Sequence, residues 1–216
     1  MPEHSADRIG FRHLCLRGFA YMLLVAALMQ AVLFEATYMP NVRFSEIGLT
    51  ESLQSLLLLA GTILAIVARR LDDRLPHLTL LVIGLLGASL IREQDAWLDE
   101  FVFDGAWQIL VSLLVLPILF VVIRNGRAFT AELERYATTF SGGLFAAGFI
   151  GTYVFSRLYG RGEMWEAVLG EQYIRVFKDA AEEVTELFGY TLLCIAMIEL
   201  MLLARRWRQQ RLQGRG

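Results

Sequence analysis

Residues 92–100, Arg-Glu-Gln-Asp-Ala-Trp-Leu-Asp-Glu, set one arginine among four carboxylates directly behind the apolar run 78–91. A helix needs about 20 residues to cross the hydrocarbon core of a bilayer. The run at 78–91 is shorter than that, so a third crossing must borrow its last turns from 92–97. Arg92, Glu93 and Asp95 then lie at or just inside the membrane boundary. Ionisable groups there are costly, face protein or water, and mark function.

Other acids gather at the same depth once the elements that must carry them are laid out. Apolar runs suggest spans over about 18–38, 48–68, 76–97, 106–123, 138–155 and 184–204. The expected fold class is therefore all-α, a polytopic helical bundle of about six transmembrane helices forming a single membrane domain over 18–204. A basic segment at 1–17 precedes it and a basic tail at 205–216 follows. The first run is longer than a signal-peptide core and no small-residue cleavage pattern follows it cleanly, which favours a retained span. Pro117 is expected to kink the fourth span.

Orientation follows from arginine. Arg8, Arg12 and Arg17, then Arg69, Arg70 and Arg74, then Arg124, Arg127 and Arg135, and finally the tail from Arg205 onward fall on alternate connections. Those connections and both termini are expected to be cytoplasmic, in a cell inner membrane. Glu46, Glu51, Glu93, Asp95, Asp99, Asp179, Glu182, Glu183 and Glu186 then all sit at outer helix ends.

Helical spacing sharpens the set. Asp95 and Asp99 stand four apart, and Arg92 three before Asp95, so an unbroken helix puts the three on one face. Glu183 and Glu186 are three apart, and Glu51 and Ser55 four apart. Glu51, Glu183 and Glu186 also open spans, where the positive helix end favours an anion. The candidate ligand set is Glu51, Arg92, Glu93, Asp95, Asp99, Glu183 and Glu186, with Arg92 tuning the charge. Oxygen ligands of this kind suit a hard divalent cation, and crowded carboxylates suit protons. A polar lipid headgroup is the third candidate. In the competing reading Arg92, Arg157 or Arg161 neutralise the acids and pin helix ends together. Glu46, Glu100, Asp104 and Glu182 are expected to be solvated, and Glu199 to snorkel toward the headgroups.

Composition agrees with a membrane protein. Hydrophobic residues make up 56% of the 216, above the roughly 45–50% of soluble domains. A net charge of −2 gives no reason to expect nucleic-acid binding. Cys15 and Cys194 form no motif, and His4, His13 and His77 read as ordinary flank residues. Gly143, Ala147 and Gly151 repeat every four positions, as do Gly84 and Ala88, marking close helix packing. Between 163 and 181 apolar residues recur at i, i+3, i+4 spacing, the pattern of an outer amphipathic helix.

The acidic opening Glu46-Ile-Gly-Leu-Thr-Glu51-Ser, the stretch Arg92-Glu93-Gln94-Asp95-Ala96 and the opening Glu182-Glu183-Val-Thr-Glu186 resemble uncharacterised bacterial six-span inner-membrane families with acidic motifs at outer helix ends. That resemblance implies location and topology and no activity. Ceramidase-like and prenyl-protease-like membrane hydrolases use histidine ligands that this chain does not place at the outer side. The leading expectation is a membrane protein binding a cation, proton or polar headgroup for transport or sensing. A structural or assembly subunit is the second, and a metal-dependent membrane hydrolase the third.

Overall fold

A computed structural model describes residues 10–39, 44 and 48–213. His4, Arg8 and Glu46 lie outside the described residues. Among those residues the chain is all helical. The helices are α1 (Phe11–Tyr38), α2 (Leu49–Leu71), α3 (Pro76–Arg92), α4 (Asp95–Phe101), α5 (Ala106–Arg124), α6 (Gly126–Ala137) and α7 (Phe140–Ile150). A π-helical turn (Gly151–Phe155) leads from α7 into α8 (Ser156–Tyr159). Then come α9 (Gly162–Leu169), a 3-10 turn (Gly170–Gln172) and α10 (Arg175–Gln213).

Four of these, α1, α2, α5 and α10, are long and apolar enough to cross a membrane, and a fifth crossing results if α3 and α4 count as one bent span. The stretch expected as the fifth crossing, 138–155, is divided among α7 and the π-helical turn. Backbone dihedrals at the joins of that turn stay in the right-handed helical region, so the run from α7 to α8 continues without a corner. Pro117 lies inside α5 without dividing it. The stretch expected as one amphipathic helix is two pieces. Gly170, at φ +55°, ends α9 in a conformation that suits glycine, and α10 restarts at Arg175, so Glu183 and Glu186, expected to open a span, lie inside the helix and not in its first turn. Enclosure separates the helices sharply: 72% of the most apolar window of α10 is buried, against 11% of that of α1.

The described residues cluster into two compact units, one within 58–145 and 194–213, the other within 10–57 and 146–193. In the first, α3 packs on α5 so closely that a Cβ at Gly84 would stand 2.9 Å from Ile118 Cδ1. Glu132 of α6 reaches the start of α3 and accepts the backbone N–H groups of His77 and Leu78, each at 2.8 Å. Its other oxygen stands 2.6 Å from His77 Nδ1. Pro76 at the first helical position has no N–H to lose, so the capping carboxylate meets the next two donors. His77, an ordinary flank residue by sequence, is therefore part of a helix cap.

The connection between α2 and α3 is held to the end of α10. Arg211 pairs with both Asp72 and Asp73, and the Arg74 guanidinium lies 5.2 Å from the centroid of the Trp207 ring. Glu199, expected to snorkel, is instead buried at 2% exposure. It points inward because its helix is enclosed on that side, leaving no path to the headgroups.

In the second unit the close approach is between the α7-to-α8 run and α10. A Cβ at Gly148 would stand 2.9 Å from Leu193 N and 3.0 Å from Gly189 O. A Cβ at Gly189 would collide with Thr152 Oγ1. Gly148, Thr152 and Ser156 are buried, whereas Gly143 meets nothing within 4 Å and Ala147 is exposed. The packing stripe is thus Gly148-Thr152-Ser156, displaced from the expected Gly143-Ala147-Gly151. Both sets have four-residue spacing, so spacing alone does not choose between them.

Two substitutions distinguish the stripes. Gly148→Ala should destabilise the protein by about 1–3 kcal/mol, because backbone atoms must move to admit the methyl. Gly143→Ala should be neutral or stabilising by up to about 1 kcal/mol through helix propensity. Thermal melting in detergent separates the two. The hydrogen bond from Arg211 holds the exposed Asp73 carboxyl below the usual carboxylate range. Its stabilising contribution is present above the ordinary pKa of about 4 and is lost as the pH falls through the lower folded-state value. Arg211→Gln should lower the melting temperature at pH 7 and leave the protein less sensitive to acid in that window.

Candidate functional site

The residues expected to share a site divide between the two units. Arg92, Glu93, Asp95 and Asp99 belong to the first, and Glu51, Glu183 and Glu186 to the second. Within the first, Asp95 and Asp99 share α4 at four-residue spacing, but Arg92 belongs to α3, so the expected common face of all three is divided. The helix ends at Arg92, turns through Glu93 and Gln94, and restarts at Asp95 with a bend of 59°. Aspartate is poor inside a helix and good in its first turn, so continuing α3 through Asp95 is less favourable than beginning α4 with it. The Asp95 carboxylate accepts the Ala96 N–H at 2.7 Å. Asp99 reaches forward to the Gly105 N–H at 2.9 Å. Gly105 has φ +83°, a left-handed turn that glycine supplies without a Cβ penalty, and α5 begins immediately after it. Arg92 pairs with its neighbour Glu93 at 3.1 Å. These four charges shape the α3–α4–α5 corner.

The second unit holds a connected polar layer. It begins with a residue whose sequence context marks only a possible membrane boundary. Glu35, near the end of α1, is fully buried. Its carboxylate accepts the Phe44 N–H at 2.9 Å, the Thr50 N–H at 2.7 Å and the Thr50 hydroxyl. Thr50 is the second residue of α2, so Glu35 caps that helix from a different one. One turn along α2 stands Gln54, also at 0% exposure. Its Nε2 donates to the Glu183 backbone carbonyl and to Glu183 Oε2, both at 2.9 Å. Two acceptors on the nitrogen fix the orientation of the amide and identify Oε1 as the oxygen. That oxygen is buried and has no hydrogen-bond partner.

Three residues beyond Glu183, the Glu186 carboxylate is buried at 3% exposure. It meets Arg157 Nη2 at 2.7 Å and lies 3.4 Å from Ser156 Oγ. Arg157 also pairs with Glu182, and Lys178 Nζ stands 3.2 Å from the other Glu182 oxygen. Glu182, expected to be solvated, is thus held by two cations. Thr152 Oγ1, one helical turn before Ser156, is buried and without a partner. The layer runs from α1 through α2 and α10 to α8 by direct hydrogen bonds and ion pairs.

Charge sets what this layer can do. Among the described residues of the second unit the buried side chains of Asp, Glu, Lys or Arg type are two carboxylates, Glu35 and Glu186. Lysines and arginines stay at least partly exposed. Helix N-termini offset part of this charge, and Arg157, 42% exposed, offers a guanidinium from one side. Among the described residues no group of three or more His, Cys, Asp and Glu side chains comes together as a metal centre would require. The sequence carried only faint signs of Glu35 and Gln54, each a lone polar residue in or beside an apolar run.

Arg157→Gln should destabilise the protein by about 1–3 kcal/mol, because it leaves a buried carboxylate without its cation. Adding Glu186→Gln should restore part of the loss. A melting-based double-mutant cycle in detergent checks this, and additive losses would mean that the pair is not coupled. Compared with protein-family models, with curated proteins and with solved structures, the chain finds no match.

Proposed function

We propose that this is a six-span inner-membrane protein, with both termini cytoplasmic, whose second unit takes up a proton or small cation in transport or sensing. Arginine placement supports the orientation, and α3–α4 together with the α7-to-α8 run supply the two crossings beyond the four long helices. In that topology Glu35, Gln54, Glu183 and Glu186 lie toward the outer ends of their helices. The observation that carries the reading is the one-sided burial of charge, Glu35 and Glu186 inside with no lysine or arginine among the described residues equally buried. Intramembrane ionisable residues are functional candidates by default. The lipid bilayer is the obligatory partner, and a polar headgroup at the outer ends is the bulkier form of the same guest.

A second reading, an assembly subunit with ion-paired pins, is favoured by the double engagement of Arg157 with Glu182 and Glu186. The dispersal of the acids disfavours the hydrolase reading, which needs several carboxylates on one divalent ion.

The two readings part in a melting experiment on the purified protein in detergent. Ligand uptake requires the melting temperature to shift with cation concentration at fixed ionic strength, or with pH above the acid window in which Asp73 alone responds. The double change Glu35→Gln with Glu186→Gln should flatten that response. A native protein that is indifferent to both variables is an assembly subunit.

A further inference from the structure

We infer that Gln54 Oε1 is a ligand oxygen for a small monovalent cation, ammonium or an alkali ion, held beside the Glu183 carboxylate. The inference rests on the reading that the second unit takes up positive charge, and it adds the site and the class of ion.

Four observations converge on Gln54. It has no solvent exposure, so bulk water does not satisfy it. Its Nε2 is committed twice to Glu183, so the amide does not turn to spend its oxygen elsewhere. Its Oε1 is buried with no partner, a state that costs about 1–3 kcal/mol unless a donor or a cation occupies it. Glu35 caps the same helix one turn away through Thr50, so the local field is negative on that side as well.

Charge and donor type then select the guest. A neutral amide oxygen beside a carboxylate presents oxygen ligands of low total charge. Divalent ions take six or more oxygens, commonly with several carboxylates, and no such group forms among the described residues. An anion would face Glu183. A monovalent cation matches both the oxygen ligands and the charge. Ammonium and alkali ions share this chemistry and differ in whether an N–H hydrogen bond or simple coordination reaches Oε1.

The test is thermal melting of the full-length protein in detergent at constant pH and ionic strength. Ammonium, potassium and sodium chlorides are titrated against choline chloride, whose cation is too large for the site. The native protein should gain stability with one of the three small cations. Ammonium alone identifies an N–H donor, whereas potassium or sodium identifies an alkali ion. Gln54→Leu should abolish the gain, or raise the half-saturating concentration by about tenfold or more, equivalent to the loss of about 1.4 kcal/mol. Glu183→Gln keeps an acceptor for the Gln54 amide and removes the carboxylate charge, so it should raise the half-saturating concentration. That second variant decides the matter if Gln54→Leu does not fold.

A cation response that persists unchanged in Gln54→Leu, or is unchanged in Glu183→Gln, overturns the site while leaving the proposed function standing. A native protein that responds to pH and to none of the three cations does the same. Indifference to both pH and cations overturns the function and the site together.

Discussion

A helix that starts inside an apolar environment exposes backbone N–H groups that have neither an intrahelical partner nor water. Among the described residues two helix starts meet that constraint with a glutamate from another helix. Glu35 of α1 takes the Thr50 N–H at the start of α2. Glu132 of α6 takes the His77 and Leu78 N–H groups at the start of α3. Each is a charge-assisted bond at a positive helix end, stronger than a neutral cap and less screened than one at the surface. The same bonds explain why a carboxylate is tolerated at 0% exposure in α1, a helix otherwise apolar along most of its length.

Capping of this kind leaves charge behind. A helix end supplies only about half an elementary charge, so a carboxylate bound to it retains a negative balance. With protein interiors behaving as media of effective dielectric constant near 20, unit charges 4 Å apart interact by about 4 kcal/mol. Unopposed carboxylates are therefore costly, and the molecule answers in different ways. Glu186 recruits Arg157 from the rim. Asp72 recruits Arg211, with Arg74 close by at 3.8 Å. At Gln54 the local chemistry is different, because the amide nitrogen is committed to Glu183 and the amide oxygen is presented with nothing attached. The structural acids and the candidate ligand site thus arise from one requirement, the handling of polar groups where water is scarce.

The helices were legible from the chain because apolar runs and arginine flanks are read one segment at a time. All-helical architecture, the long apolar helices and the close packing at Gly84 follow from such local signals. Contacts between distant segments were not legible. Arg92, Asp95 and Asp99 have the spacing of one face, but that spacing has meaning only while the helix continues, and no proline or glycine announces its end at Arg92. Gly148-Thr152-Ser156 and Gly143-Ala147-Gly151 have the same period, and only the position of Gly189 opposite decides between them. Glu35 and Glu132 carry no signal of their capping role, because their partners, backbone N–H groups, leave no mark in a sequence. Glu199 was misplaced for a related reason: a lone acid near a helix end snorkels only if that side of the helix is open.

The π-helical turn at Gly151–Phe155 connects packing to chemistry. A π turn accommodates an extra residue and rotates the downstream helix relative to the upstream one, and such turns recur at functional sites. Upstream of it stands Gly148, which lies against the α10 backbone near Leu193 and Gly189. Downstream stand Ser156 and Arg157, which face Glu186. An uninterrupted α-helix advances 100° per residue, and the nine positions from Gly148 to Arg157 would then set the two on opposite sides. Arg157 nevertheless meets Glu186 on the same helix that Gly148 approaches. The added rotation, together with the length of the arginine side chain, reconciles a contact that only glycine permits with an ion pair that only a long side chain can reach. Thr152 sits inside the turn against Gly189, and its hydroxyl is the atom left without a partner there. The close approach that seats Arg157 on Glu186 is thereby obtained with one unsatisfied hydroxyl, a local conflict of the sort proteins retain where a site has to be held in place.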